Sequence, residues 1–224
     1  MNLVFDADDT LWENNILFER VVDDFVTWMA HPSLDEATIR AVVRDIEAAN
    51  VVAHGYGSRV FLRTLRECFE RLRARPATDR ERRAIEDLAT DLVEHKIELV
   101  PDVAETLRDL GTRHRLFLLT KGDPDEQQAK VDASGLAKHF TAVHIVAEKR
   151  VETYLELARH HGLAPEETWM IGNSPRFDIL PARRAGWNAV YIPNTNTWAL
   201  EIDELEPDDR ILVLATFTDL RQRF

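Results

Sequence analysis

The chain has 224 residues, 45% of them hydrophobic, enough for one large α/β domain or for a core domain with a smaller insertion. A formal net charge of −12 argues against nonspecific binding to nucleic acid or an anionic membrane, and means that a phosphorylated ligand would need local cations to offset the global field. Cys68 is the only cysteine, which precludes an internal disulfide and makes the reducing cytoplasm the expected location.

The first element is a short apolar strand, Leu3–Phe5, which runs into Asp6-Ala7-Asp8-Asp9-Thr10. Asp6 interrupts the apolar start after a few residues, so no secretory leader is expected. No segment approaches the roughly 18 uninterrupted apolar residues of a membrane span. From Trp12 to about Leu99 no convincing strand occurs. Phe18, Val21, Val22, Phe25, Trp28 and Met29 recur at helical steps, as do Phe61, Leu65, Cys68, Phe69 and Leu72. Ser33 with Glu36, and Thr78 with Glu81, fit capping boxes. Between two of these helices, His54 to Arg59 forms a glycine-containing turn. The region reads as a helical insertion.

Strands and helices then alternate. Pro101 and Asp102 open a helix that stops at Gly111, and Asp123-Pro124-Asp125-Glu126 opens another. Candidate strands are 116–119, 143–146, 169–171, 190–192 and, less clearly, 211–214; a short helix closes the chain from Phe217. This alternation implies a mostly parallel sheet covered on both faces.

In such a sheet, ligands bind beyond the carboxyl ends of the strands. Asp6, Asp8 and Asp9 stand there together, and carboxylates so close repel unless a cation or hydrogen bonds hold them. Oxygen donors of this kind suit a hard ion such as magnesium. Three later features share the same kind of position. Thr120-Lys121-Gly122 ends the second strand with a hydroxyl and backbone N–H groups suited to a phosphate oxygen. Lys149 follows the third strand, and Gly172-Asn173 through Asp178 follows the fourth.

In this order the residues resemble the haloacid dehalogenase-like hydrolase superfamily, in its phosphatase branch with a helical cap inserted after the first motif. Asp6-x-Asp8-x-Thr10 resembles motif one, Thr120 motif two, Lys149 motif three, and Gly172-Asn173 to Asp178 motif four. The resemblance implies a Rossmann-like core with strand order 5-4-1-2-3, spanning residues 1–12 and 99–224, and an α-helical cap over 13–98. It implies Asp6 as nucleophile, forming an aspartyl-phosphate, and Asp8 as general acid and then base. Thr120 and Lys149 would bind the phosphoryl oxygens, and Asp6, Asp178 and the backbone carbonyl of Asp8 would hold Mg2+. Asn173 departs from the aspartate of many relatives, keeping an acceptor oxygen but losing a charge.

The reaction implied is hydrolysis of a small phosphorylated metabolite by a monomer or homodimer. The superfamily also includes 2-haloacid dehalogenases and phosphomutases, and a non-catalytic phosphate-binding regulator could be built on the same core. Dehalogenases need no general acid where this chain carries Asp8. Phosphonate cleavage needs a cap lysine, and no lysine occurs between Trp12 and His95. Tyr56 and Arg59 in the cap turn, with Lys121, Gly122 and Asn173 in the core, are candidate substrate contacts.

Overall fold

The computed structural model of the chain describes residues 1–94 and 97–224. Two compact units emerge, Met1–Asn15 with Ile97–Phe224, and Ile16–Lys96. The sequence puts the boundaries at 12/13 and 98/99, and the structure moves both into the insertion. The reason is that the outgoing and returning chains pair with each other: Trp12 bridges Leu99 antiparallel, Val100 N–H donates to Leu11 (2.9 Å) and Glu13 N–H to Glu98 (2.8 Å). The expected cap, 13–98, includes residues 95 and 96, which lie outside the described residues.

Strand β1 (Asn2–Phe5) precedes the helices α1 (Asn15–Met29), α2 (Glu36–His54), α3 (Ser58–Arg73), α4 (Asp79–Leu88) and α5 (Thr90–Val93). The buried side chains Val21, Val22, Phe25 and Met29 of α1 belong to one apolar cluster with Ile39 and Val43 of α2 and with Phe61, Leu65, Cys68 and Phe69 of α3. Aromatic pairs reinforce it, with Phe18 and Phe61 rings 4.9 Å apart and Trp28 and Phe69 rings 5.4 Å apart. The Thr78–Glu81 capping box forms. The Ser33 box does not: Asp35 caps α2 instead, accepting from the Thr38 N–H at 2.8 Å, because the helix starts one residue after it.

The remaining chain runs α6 (Val103–Leu110), β2 (Arg115–Lys121), α7 (Pro124–Ser134), β3 (Ala142–Val146), α8 (Val151–His161), β4 (Thr168–Gly172), a π-turn over Pro175–Ile179, α9 (Leu180–Arg184), β5 (Asn188–Tyr191), β6 (Ile211–Val213) and α10 (Leu220–Arg223). All sheet pairings are parallel, in the order β3-β2-β1-β4-β5-β6. This is the expected 5-4-1-2-3 order with β6 added beside β5. Alternation along the central strands decides what each face meets. Leu3 and Phe5 of β1, with Leu116 and Leu118 of β2, pack in a cluster that includes Val103, Leu107 and Leu110 of α6 and Leu220 of α10. Val4, Phe117, Leu119 and Met170 pack on the other face with Tyr154 and Leu157 of α8 and Ala182 of α9. The sheet is therefore buried on both sides, and polar chemistry is left to its edge. No helix among the described residues is long and apolar enough to cross a membrane.

Candidate active site

Connections leave β1 in one direction to β2 and β3, and return on its other side to β4, β5 and β6, so the strand order reverses at β1. A crevice at the carboxyl end of the sheet is expected there. Asp6 is the first residue past β1, and its N–H donates to Ile171 of β4 at 2.9 Å, so the sheet itself holds the backbone of this residue. The next residues turn tightly: Leu11 N–H donates to Ala7 (2.8 Å) and Asp9 N–H to Trp12 (2.7 Å). Asp9 sits in the left-handed region at φ 60, and its carboxylate accepts from Asn14 and Asn15 N–H at 2.9 and 3.0 Å. That carboxylate closes the turn and caps the start of α1.

The Asp6 carboxylate has two partners. Thr10 Oγ1 lies 3.0 Å from Asp6 Oδ2 and 3.1 Å from Asn173 Oδ1. Its single proton can serve only one of these acceptors at a time. Lys149 Nζ donates to Asp6 Oδ1, and to Asp178 Oδ1 at 2.7 Å. Lys149 and Asp178 are 3% and 0% exposed, so neither charge is shared with bulk water. Burial pushes the Asp178 carboxyl up, and the charge of Asp6 adds to this while Lys149 opposes it. Burial works against the Lys149 ammonium, but Asp178 and Asp6 outweigh it and hold its pKa above the ordinary value. With both carboxyl groups ionised, one ammonium leaves one negative charge in excess.

Asp178 reaches the site through the π-turn after β4. Its Oδ2 accepts from the Ser174 N–H at 3.0 Å, and the Ser174 hydroxyl accepts from Phe177 N–H at 3.1 Å. Gly172 is required for this approach, since a Cβ there would lie 2.5 Å from Asp178 Cγ. Asn173 lies between Thr10 and Thr197, to which its amide donates at 3.1 Å, and so orients neighbours.

Asp8 points to a different set of groups. Its Oδ1 accepts from Trp12 Nε1 (2.7 Å) and Lys130 Nζ (3.1 Å); its Oδ2 accepts from Gln127 Nε2 (2.8 Å) and again from Lys130 (3.2 Å). Burial alone would raise the Asp8 pKa, but Lys130, with the bonds from Gln127 and Trp12, lowers it overall. Thr120, 1% exposed, donates to Gln127 Oε1 at 3.3 Å, so Gln127 links the second motif to the first.

One sequence expectation changes. Gly122 was to offer a free N–H, but that group donates to Val146 at 3.0 Å, continuing the β2–β3 pairing. What Gly122 provides is space: a Cβ would lie 2.8 Å from Gln127 Nε2. Lys121, a candidate substrate contact, pairs with Glu201 at 2.6 Å, with its ammonium 4.5 Å from the centre of the Phe177 ring. Tyr56 and Arg59 belong to the helical unit: Tyr56 lies in the turn between α2 and α3, where Gly55 and Gly57 have φ 82 and 116, and Arg59 in the first turn of α3.

Sequence reading missed Gln127 and Lys130. Both lie on α7, which has hardly any apolar face, yet they are buried beside Val131. A polar helix that must pack against a sheet was the available signal. His161, on α8, meets His144 Nε2 to Nε2 at 2.8 Å and packs 4.8 Å from the Phe117 ring.

Asp6 and Asp178 bond one nitrogen, so both carboxylates can reach a single cation. Two hard oxygen ligands and an excess negative charge suit magnesium, which uses one or two carboxylates and completes its shell with water and substrate phosphate. Among the described residues no three His, Cys, Asp or Glu side chains form a metal-holding group. The family resemblance implies the backbone carbonyl of Asp8 as a further ligand.

The sequence model of the haloacid dehalogenase-like hydrolase family matches residues 1–186. The phosphoserine phosphatase of Thermus thermophilus is 30% identical over 209 residues, covering 89% of this chain and 78% of that protein. The glyceraldehyde 3-phosphate phosphatase of Methanopyrus kandleri is 28% identical over 202 residues, covering 85% and 82%. Among solved structures, a haloacid dehalogenase-like family hydrolase from Xanthomonas campestris has the same fold, with a TM-score of 0.82 at 22% identity over 100% of this chain and 93% of that one.

Proposed function

The chain belongs to the haloacid dehalogenase-like hydrolase family and is a phosphatase within it, and we propose that it hydrolyses small phosphomonoesters through a phosphorylated Asp6, with magnesium as its metal. The observation that carries this reading is the pairing of Asp6 and Asp178 through Lys149 at the end of the central strand, with a second carboxylate, Asp8, held separately two residues on.

Asp6 attacks phosphorus in line, forming its carboxylate–phosphorus bond as the ester oxygen leaves. Asp8 must first take up a proton, against the pull of Lys130, and gives it to that oxygen; as the anion it then takes a proton from the water that attacks the aspartyl-phosphate. Water's oxygen ends on phosphate and Asp6 is restored. Lys149 holds positive charge against the phosphoryl oxygens, and Thr120 exchanges its 3.3 Å bond with Gln127 for one of them. Asp6, Asp178 and the Asp8 carbonyl would hold magnesium, which would supply the positive charge that lets a carboxylate approach a phosphate dianion. A carbon–halogen bond leaves no ester oxygen to protonate, so Asp8 favours phosphate esters over haloacids.

Phosphoserine and glyceraldehyde 3-phosphate head the substrate panel, because relatives aligned over most of the chain carry those names. Tyr56 and Arg59 are proposed to meet the organic part of the substrate. The test is phosphate release from a panel of metabolite monophosphates, with and without magnesium, beside Asp6→Asn. Metal-dependent release that Asp6→Asn abolishes supports the reading. A folded wild-type protein inactive on the whole panel, or an Asp6→Asn variant of full activity, overturns it.

A further inference from the structure

Among the groups that the proposed chemistry leaves unused, the cradle around Asp8 is the most constrained. Lys130 is a lysine 7% exposed on a helix, and a buried ammonium is costly unless it is paired. Its ammonium donates to the two oxygens of Asp8 at 3.1 and 3.2 Å and to Asn14 Oδ1 at 2.8 Å. Gln127 completes the set from one helical turn earlier, held in place by Thr120 and given room by Gly122. Together with Trp12, these donors make four contacts to a carboxylate that offers about four lone-pair sites. The Asp8 side chain cannot rotate without losing several bonds at once.

We propose that Lys130, seconded by Gln127, is a positioning residue that holds the Asp8 carboxylate in the one orientation from which it can exchange protons with the reacting oxygens. The inference rests on the phosphatase reading above. Its physical basis is the near-equal reach of Lys130 to both Asp8 oxygens. A straddling ammonium can shift to one oxygen and free a lone pair on the other while the carboxylate keeps its place. In the second half-reaction, water then loses a proton to that lone pair as its oxygen bonds phosphorus; the bond from phosphorus to Asp6 breaks, and inorganic phosphate leaves. Without Lys130 the carboxylate samples other rotamers, and misplacement on the order of 1 Å costs about 100-fold in rate.

The test uses the whole chain with magnesium and two probes, 4-nitrophenyl phosphate and phosphoserine, comparing wild type with Lys130→Met, Lys130→Arg and Gln127→Met. An aryl oxygen leaves without help from an acid, so Lys130→Met should form phosphoenzyme from 4-nitrophenyl phosphate at the wild-type rate. It should then hydrolyse that phosphoenzyme about 10- to 100-fold more slowly, so that phosphorylated chain accumulates on acid quench and intact-mass analysis. With phosphoserine, formation itself should slow. Lys130→Arg should recover part of the loss, and Gln127→Met should show the same pattern more weakly, which also serves if Lys130→Met fails to fold. A general structural lesion would lower both steps together and leave no accumulated phosphoenzyme. Equal partitioning in wild type and folded variants overturns this inference alone. A wild type that neither releases phosphate nor becomes phosphorylated overturns the phosphatase reading and this inference with it.

Discussion

Gly172→Ala adds a single methyl group at the point where the fourth strand meets Asp178, and the structure sets its cost. The new Cβ would stand 2.5 Å from Asp178 Cγ and 2.9 Å from its Cβ, against the 3.5–4.0 Å or so of an ordinary carbon contact. Relief therefore demands a displacement of roughly 1 Å. Asp178 has nowhere to go: it is fully buried, bonded to Lys149 on one oxygen and to the Ser174 N–H on the other. Gly172 is absent from the glycines with positive φ, so the penalty is steric rather than conformational. Overpacking of this kind costs about 1–3 kcal/mol of stability, and a shift of about 1 Å in a positioned carboxylate costs about 100-fold in rate. Since Asp178 is the proposed second ligand of magnesium, the loss should include a weaker metal dependence, read as a higher magnesium concentration for half-maximal phosphate release. Initial rates across a magnesium titration, with thermal unfolding alongside, measure all three. A Gly172→Ala protein with wild-type turnover and magnesium response would refute the reasoning, because Asp178 would then have moved freely or would not matter.

Lys149→Met removes the one cation shared by Asp6 and Asp178, leaving two buried carboxylates facing each other. A loss of about 3–5 kcal/mol is expected, with turnover nearly abolished and added magnesium raising the melting temperature more than in wild type; an equal magnesium effect in both proteins counts against a shared cation site. His144 and His161 are both held below their ordinary pKa by burial and by neighbouring cations or histidines. The unfolded chain therefore takes up protons first, so this pair's contribution is complete above pH ~6.5 and is lost as the pH falls below it. His161→Gln should flatten the fall in melting temperature on acidification, and an unchanged slope would show the pair to be silent. Burial pushes the Cys68 thiol up to about 12, and the side chain lies in the core of the helical unit. Its labelling by an aromatic disulfide should follow unfolding of that unit in denaturant, whereas rapid labelling of native protein would contradict the packing.

Much of the architecture was legible because it rests on short-range patterns. The short apolar runs of β1 and β2, the 3.6-residue stripes of α1 and α3, the Thr78 cap and the Asp123-Pro124 helix start are all written within a few residues of one another. The order of acid pair, threonine, lysine and acid along the chain pointed to a common edge because parallel strands carry their ends to the same side. Tertiary structure alone decided the partners. Lys130 and Asp8 are 122 positions apart, and nothing local in a polar helix such as α7 distinguishes a side chain meant for water from one meant for a buried carboxylate. The same holds for Lys121, whose charge meets Glu201 at 80 positions' separation, and for Gly122, whose N–H completes a strand pair. Periodicity tells which face of an element is apolar, because burying apolar surface is a property of each residue. A charge finds its counterpart only when the chain is folded, because electrostatic pairing depends on distance in space.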